Sequence, residues 1–509
     1  MSNTPDKNAA GPDLVAGIPG STVADGMMLL GHVNNEPVLV ARSGGSLYAI
    51  GATCTHYGGP LAEGLIVDDT VRCPWHHACF SLKTGEPLRA PALDRVPCFR
   101  VEEIDGRIFV RGNINPPSAF LRLLASPPTS IVIIGAGAAG VAAAEMLRRC
   151  GYTNSIKLID QLDTPPVDRP NLSKDYLAGN AEEAWVNLRP DEFYTSHNIE
   201  LIRGERVKHI DTNARHVVTE SGAVIPFGSL LLATGSLPVK LAVPGADLPT
   251  VHYLRTLDDS KAIIAAAQAG RRAVVIGASF IGLEVAASLR ERGVAVTVVA
   301  PDPVPLERVL GAELGRMVQA LHESHGVVFN LGSGVTSITA DAVQLMDGVS
   351  LPADFVVVGV GVRPDVVLAQ EAGLEIDNGV IVNEMLTTSA PNIFAAGDIA
   401  SWPDPRVGRI RVEHWVVAQH QGQFAARNML GSNEPFVLTP FFWSRHYDVQ
   451  INYVGHAARG DVHSVDGDPM QHDCSVMYRT QAGTLNAQAD LGRDRANLLA
   501  EAGLDGEIQ

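Results

Sequence analysis

Four side chains in the first hundred residues could hold a metal. Cys54-Thr55-His56 and Cys73-Pro74-Trp75-His76 each set one thiol beside one imidazole, with sixteen residues between the pairs. Thiolate and imidazole suit zinc, copper and iron–sulfur centres. Zinc modules usually pair Cys with Cys and His with His at wider spacing, so this mixed pairing favours iron–sulfur over zinc. Two glycine-bearing segments point to a second chemistry. In residues 130–140, branched apolar residues read as a buried parallel strand that turns through Gly135, Gly137, Ala138, Ala139 and Gly140 into a helix near Val141. Gly135 permits the tight turn, Gly137 admits a pyrophosphate to the backbone, and Gly140 lets helix and strand pack closely. Residues 273–284 repeat the unit with Gly277, Ser279, Ile281 and Gly282.

The surroundings of the first set, Cys-Thr-His-Tyr-Gly-Gly-Pro-Leu and Cys-Pro-Trp-His-His-Ala-Cys-Phe, resemble Rieske ferredoxins. The resemblance implies a [2Fe–2S] cluster with Cys54 and Cys73 on one iron and His56 and His76 on the other. Respiratory Rieske proteins carry an extra cysteine in each loop. Here the first loop has none and Cys79 stands alone, so the resemblance is to the lower-potential ferredoxin type. His77 replaces a glycine common after the second ligand histidine and is read as a neighbour of the cluster. Cys79 and Cys98 read as small buried residues.

Asp160 follows a strand over 156–159, twenty residues past Gly140, where an acid fits the ribose of an adenine dinucleotide. The segment Arg169-Pro-Asn-Leu-Ser-Lys174, the turn Ala233-Thr234-Gly235 and the pair Gly397-Asp398 resemble those of flavoprotein reductases related to aromatic-dioxygenase ferredoxin reductases and apoptosis-inducing factor. That resemblance implies FAD on the first glycine turn and NADH or NADPH on the second. It sets Arg169 and Lys174 beside the flavin and pairs Lys174 with Glu284 about the hydride path, which makes these two the candidate catalytic residues. It lays Asp398 on the ribityl chain and aims the helix over 416–429, led by Glu413, His414 and Trp415, at the flavin pyrimidine. Trp443 falls on a loop near the flavin, and Gly361 marks the return of the chain to the FAD domain. The second unit departs twice from pattern. Ser279 adds a hydroxymethyl group where a glycine belongs, and Ala300 ends the second strand where an acid would select NAD, with Asp302 the nearest acid. The choice between NADH and NADPH stays open.

The fold class expected is multidomain: an N-terminal all-β Rieske domain, then an α/β flavoprotein with two dinucleotide-binding domains, glutathione-reductase-like, and a C-terminal α+β domain. Boundaries follow: a disordered tail over 1–12, the Rieske domain over 13–115, a proline-bracketed linker over 116–128, FAD-binding parts over 129–250 and 376–430, the NAD(P)-binding domain over 251–375, and the C-terminal domain over 431–509. Short strands over 38–41, 47–50, 71–73 and 108–110 build the first of these. The linker would hold the cluster at high effective concentration near its donor.

A net charge of −17 argues against nucleic acid and anionic membranes as partners. No basic-then-apolar leader or membrane span is legible, and six cysteines in 509 residues suit a reducing cytoplasm. Between Cys150 and Cys474 there is no cysteine, so a dithiol cannot carry electrons away from a flavin. The reading is therefore an electron-transfer oxidoreductase running from NAD(P)H through FAD to the cluster and on to an external acceptor: an oxygenase component, a cytochrome or an iron–sulfur protein. A redox-sensing interaction protein and a ferredoxin reductase with a regulatory cluster are the alternatives; oligomerisation is possible.

Overall fold

The computed structural model describes residues 11–120 and 127–508. Alternation builds the N-terminal domain. In the strand Glu36–Ser43, Val38 and Val40 enter one core while Leu39 and Ala41 enter another, so the strand is buried on both faces. Its six-stranded antiparallel sheet runs in the order Ile18–Pro19, Arg107–Ile114, Cys98–Ile104, Ser46–Gly51, Glu36–Ser43, Met28–Val33. Against it lies a four-stranded sheet, Leu65–Val67, Thr70–Arg72, Cys79–Ser81 and Pro87–Arg89. The chain is anchored from Pro12 onward, whose carbonyl accepts the His32 amide at 3.0 Å, so the expected tail is shorter by its last residues; residues 1–10 lie outside the described residues. Of the linker, Ser118 and Ala119 are held at 2.7 Å by the Glu86 carboxylate of the β domain, and residues 121–126 lie outside the described residues.

Two five-stranded parallel sheets follow. Ile199–Ile202, Ser155–Ile159, Ser130–Ile134, Ser229–Leu232 and Ile393–Ala395 form the first; Val251–Tyr253, Phe355–Val358, Arg272–Ile276, Ala295–Ala300 and Val328–Leu331 form the second. Their strands are near-continuous apolar runs because both faces are covered; in the second sheet Val275, Val298 and Val357 pack toward helices, and Val274, Ile276 and Val356 toward a small antiparallel sheet bearing Ile338, Val343 and Leu345. The two glycine turns are built alike. Gly135 and Gly277 take φ of +103° and +113°, and a Cβ at Gly140 or Gly282 would lie 1.9 or 2.1 Å from the carbonyl oxygen of Gly135 or Gly277. Only glycine fits so tight a strand-to-helix turn. The first helix, Ala138–Arg149, starts at Ala138 rather than near Val141, because Gly137 already takes the extended cap conformation.

The C-terminal domain is an antiparallel sheet in the order Phe441–His446, Val449–Gly455, Leu485–Leu491, Asp473–Arg479, Val462–Asp468, closed by the helix Asp494–Leu504. That helix packs Leu498 and Ala502 onto Leu65 and Val67 of the β domain. At its edge Arg72, 1% exposed, donates to Glu501 at 2.8 Å and is paired with Glu507, while Arg89 holds Asp505 at 2.8 Å. Elsewhere Arg189 reaches Asp94 at 2.7 Å and His420 reaches the Ala90 carbonyl at 3.0 Å. The β domain is thus seated on its own chain. Among the described residues no helix is long and apolar enough to cross a membrane.

Candidate redox site

The two metal-ligand loops close identically. Cys54 N–H bonds to the Gly59 carbonyl at 2.8 Å and Gly58 N–H to the Cys54 carbonyl at 3.0 Å; Cys73 N–H bonds to Ala78 at 2.8 Å and His77 N–H to Cys73 at 3.2 Å. Folded this way, the loops bring the Cys54 and Cys73 thiols together and set His56 Nδ1 3.2 Å from His76 Nδ1. Backbone amides of Trp75 and His76 point at the Cys73 sulfur, and that of His56 at Cys54. Burial pushes His56 down to about 3 and His76 well below the ordinary imidazole range, so both keep a free lone pair at neutral pH. Among the described residues no three His, Cys, Asp or Glu side chains are placed to hold one ion. Two sulfurs on one side and two imidazole nitrogens on the other fit a binuclear cluster that takes two ligands per iron.

The histidine side faces the rest of the chain. His76 lies 4.4 Å, centroid to centroid, from Trp443 on the strand Phe441–His446. Tyr57 stacks on His56 at 3.9 Å and donates its hydroxyl to Asp168, whose carboxyl burial raises to about 7 despite Lys174 nearby. Asp168 caps the turn Arg169–Ser173 that leads to Lys174. His77, at φ +62°, stacks on Phe441 at 3.9 Å and sets Nδ1 3.1 Å from Glu501. Burial pushes the Glu501 carboxyl up, but His77 and Arg72 outweigh it and hold it down at about 2. Sequence spacing carries no signal for Tyr57, Asp168 or Glu501.

The first glycine turn opens beside two guanidiniums, Arg169 and Arg255, with the carboxylates of Asp398 and Asp160 near them. The helix Ala138–Arg149 begins without a side-chain cap or an acid in its first turn. A Cβ on Gly137 would meet the Arg169 guanidinium at 3.7 Å, and no hydrogen bond or ion pair to Arg169 is formed among the described residues. Repulsion from Arg255, then burial, pushes Arg169 down to about 10. Arg255 pairs with Asp398 at 2.9 Å; burial pushes that carboxyl up, but Arg255, Ser236 and Arg169 hold it below the ordinary range. Helix amides and the Arg169 guanidinium fit a pyrophosphate. Asp160 differs from expectation in its partners: its two oxygens accept the Ala136 and Leu162 amides at 2.7 and 2.9 Å, leaving only its remaining lone pairs toward a ribose. Ala139 and Ala233 pack in the core beside the turn, Thr234 donates to the Asp365 carbonyl at 2.8 Å, and Gly235 lies against Arg255. At the far end Glu413 pairs with Arg411 at 2.6 Å, and Trp415 packs half-buried on the core. His414, which burial pushes down to about 3, keeps a buried Nδ1 with no partner among the described residues, a site open to a flavin edge.

At the second turn Ser279 has partners within the protein. Its Oγ accepts the Gly282 amide at 3.2 Å and donates to the Gly359 carbonyl at 2.7 Å, so the hydroxymethyl serves as the cap of the helix Phe280–Glu291. Ile281 on that helix is exposed, and Gly361 has open space above it. Past the strand's end at Ala300, Asp302 is paired with Arg308 at 2.6 Å. Lys174 and Glu284, 110 positions apart in sequence, form a largely buried ion pair of 2.7 Å, with Ser173 and Ser444 each donating to the carboxylate at 2.6 Å.

Comparison with known proteins places the whole chain. Residues 129–422 match the pyridine nucleotide-disulphide oxidoreductase family and residues 16–100 the Rieske [2Fe-2S] domain. The chain is 32% identical over 484 residues to apoptosis-inducing factor 3 of Homo sapiens, covering 90% of this chain and 78% of that protein. It is 38% identical over 370 residues to the anthranilate 1,2-dioxygenase system ferredoxin–NAD(+) reductase component of Burkholderia cepacia, covering 71% and 91%. The covalent putidaredoxin reductase–putidaredoxin complex superposes with a TM-score of 0.72 at 33% identity, covering 75% and 94%.

Proposed function

The chain belongs to the pyridine nucleotide-disulphide oxidoreductase family, with a Rieske [2Fe-2S] domain ahead of it, and from that membership we propose that it passes electrons from NAD(P)H through FAD to its own cluster and on to an external one-electron acceptor. The contact of His76 with Trp443 carries this reading, because it sets the cluster's histidine side against the strand whose next residue, Ser444, bonds Glu284. When bound, FAD accepts a hydride and releases its electrons singly to the cluster. Arg169 and the amides after Gly137 bind the FAD pyrophosphate, Asp398 the ribityl chain, and the amides after Ser279 the nicotinamide dinucleotide. Lys174 and Glu284 align the two rings, which a hydride transfer needs more than it needs an acid or base. Trp443 excludes water between flavin and cluster. The acceptor is an oxygenase component, a cytochrome or an iron–sulfur protein. Cys54, Cys73, Cys79, Cys98 and Cys474 carry free thiols, which supports work in the cytoplasm.

Anaerobic rapid mixing with NADH tests the route. Flavin bleaching followed within turnover by loss of cluster absorbance supports it; a cluster that never reduces would sink it and favour a regulatory cluster. Trp443→Leu should slow the second phase about tenfold or more while sparing the first, since a 1 Å misplacement near a reacting pair costs about 100-fold. Ser279→Gly should cost only a few tenths of a kcal/mol in capping and leave NAD+ binding, read by calorimetry, near wild type. A large gain in affinity would show the hydroxymethyl obstructing after all.

A further inference from the structure

The two ligand loops are tied to the rest of the chain from different sides. The second loop, residues 73–78, is held by the C-terminal domain: Gln450 donates to the Trp75 carbonyl at 3.2 Å, and His77 stacks on Phe441 and meets Glu501. The first loop, residues 54–59, is tied to the FAD-binding domain instead. Among the described residues its only hydrogen bond beyond the β domain runs from the Tyr57 hydroxyl to Asp168 Oδ2. His56 and His76, one from each loop, are the pair assigned to one iron. The two histidines of that iron are therefore fixed from two domains.

Tyr57 is not needed to shape its own loop. The backbone bonds of Cys54 with Gly59 and Gly58 close it, and the Tyr57 ring, 43% exposed, lies almost parallel to His56 at 17°. Nor does the contact favour the fold. Asp168 is buried, its carboxylate makes no capping bond to the turn it begins, and its Oδ1 has no partner among the described residues. A buried acceptor in that state is destabilising, so stability gives no reason to keep it. What the carboxylate does reach is a rigid piece of the flavin site. The Asp168 carbonyl accepts the Asn171 amide at 3.1 Å and the Asn171 carbonyl accepts the Lys174 amide at 3.1 Å, so Arg169 and Lys174 move with Asp168. From the other side the Val186 carbonyl holds the Asp168 amide at 2.7 Å.

We propose that Tyr57 and Asp168 are a positioning pair for electron entry: their contact fixes the His56 side of the cluster on the loop that carries Arg169 and Lys174, and so sets the rate of transfer from flavin to cluster. The proposal rests on the reading that electrons take this route. One electron passes at a time, from reduced flavin to oxidised cluster. Two passes follow each NAD(P)H, and the net products are NAD(P)+, two reduced external acceptors and one H+. No bond to Tyr57 or Asp168 forms or breaks in this step; the pair holds a distance. With the first loop released, the cluster can pivot about the contact of His76 with Trp443. A misplacement of 1 Å near a reacting pair costs about 100-fold.

Tyr57→Phe is the direct test, since the ring stays on His56 and only the hydroxyl goes. NADH should bleach the flavin at the wild-type rate, while cluster reduction slows about tenfold or more and the cluster's midpoint potential stays where it was. Asp168→Asn keeps an acceptor for the phenol and should retain the wild-type rate. Asp168→Leu should slow cluster reduction as Tyr57→Phe does, and the double variant no further, because both changes remove one contact. Wild-type cluster reduction in Tyr57→Phe would overturn the proposal. So would loss of the rate in Asp168→Asn, additive effects in the double variant, or a shift in potential large enough to account for the slower phase. Hydrogen exchange of the oxidised protein, measured without NADH, judges the contact by itself. Amides of residues 54–59 and 168–174 should exchange faster together in Tyr57→Phe and not in Asp168→Asn; wild-type protection in Tyr57→Phe would overturn it. A wild-type cluster that NADH never reduces would instead strike the electron route beneath, with the exchange result still judging the contact.

Discussion

Cys54→Ser is expected to abolish the cluster's visible absorbance and paramagnetic signal and to reduce cytochrome c reduction by more than about 100-fold, given that even outer-shell changes at metal sites cost about 10–100-fold. Serine offers a harder, less acidic ligand, and one iron keeps a single sulfur. The loop should survive, because the bonds that close it, Cys54 N–H to Gly59 and Gly58 N–H to Cys54, run through the backbone. NADH-driven reduction of a small dye that takes electrons straight from the flavin should therefore persist. Retained cytochrome c reduction in a cluster-free protein would show that electrons leave the flavin without the Rieske domain.

Arg72→Ala should be the most destabilising single change at the domain junction, about 3–5 kcal/mol, the usual consequence of stripping one partner from a buried pair. Arg72 is 1% exposed, and its loss leaves the buried Glu501 carboxylate with His77 beside it and Arg89 at longer range, while Arg89 still holds Asp505. The thermal melt should split or broaden as the β domain leaves its seat, and small-angle scattering should report a larger radius. Internal electron transfer should fall with it, since His76 loses Trp443. Adding Glu501→Gln to Arg72→Met should recover much of the stability by removing the stranded charge. An unchanged melt for Arg72→Ala would mean that apolar packing of Leu498 and Ala502 on Leu65 and Val67 holds the seat by itself.

Local chemistry was legible in the sequence where a few neighbouring residues suffice. The Cys-x-His and Cys-x-x-His loops and the glycine turns each carry their ligand geometry within a dozen positions, and parallel strands such as Ser130–Ile134 and Phe355–Val358 declare themselves by unbroken apolar runs. Side-chain direction was not legible. Spacing put Ser279 where a glycine belongs, but could not name the partner of its hydroxyl, the Gly359 carbonyl 80 residues away. Asp160 stands where a ribose-binding acid should, and part of its carboxylate is taken by Ala136 and Leu162. Pairings across the chain were equally silent. His446 carries no signal in the sequence, because its partner His322 lies 124 residues upstream on another domain. His77 differed visibly from the glycine expected at its place, but nothing nearby in sequence named Glu501 as the reason.

The reach of Arg72 to Glu501, 429 positions later, also orders events during synthesis. A ribosome adding about 5–20 residues per second needs roughly 20–90 s to cover that distance. For the part of it that follows Ile114, the β domain has all its own strands but none of the Asp494–Leu504 helix that covers Arg72 and His77. For that time the two ligand loops face solvent, and a donor of iron and sulfide can reach Cys54, His56, Cys73 and His76 without displacing anything. Once the helix arrives, Trp443 and Glu501 close over the loops. Cluster loading thus has a natural interval before the protein finishes folding, and chains that miss it would have to reopen a buried ionic seat to be repaired.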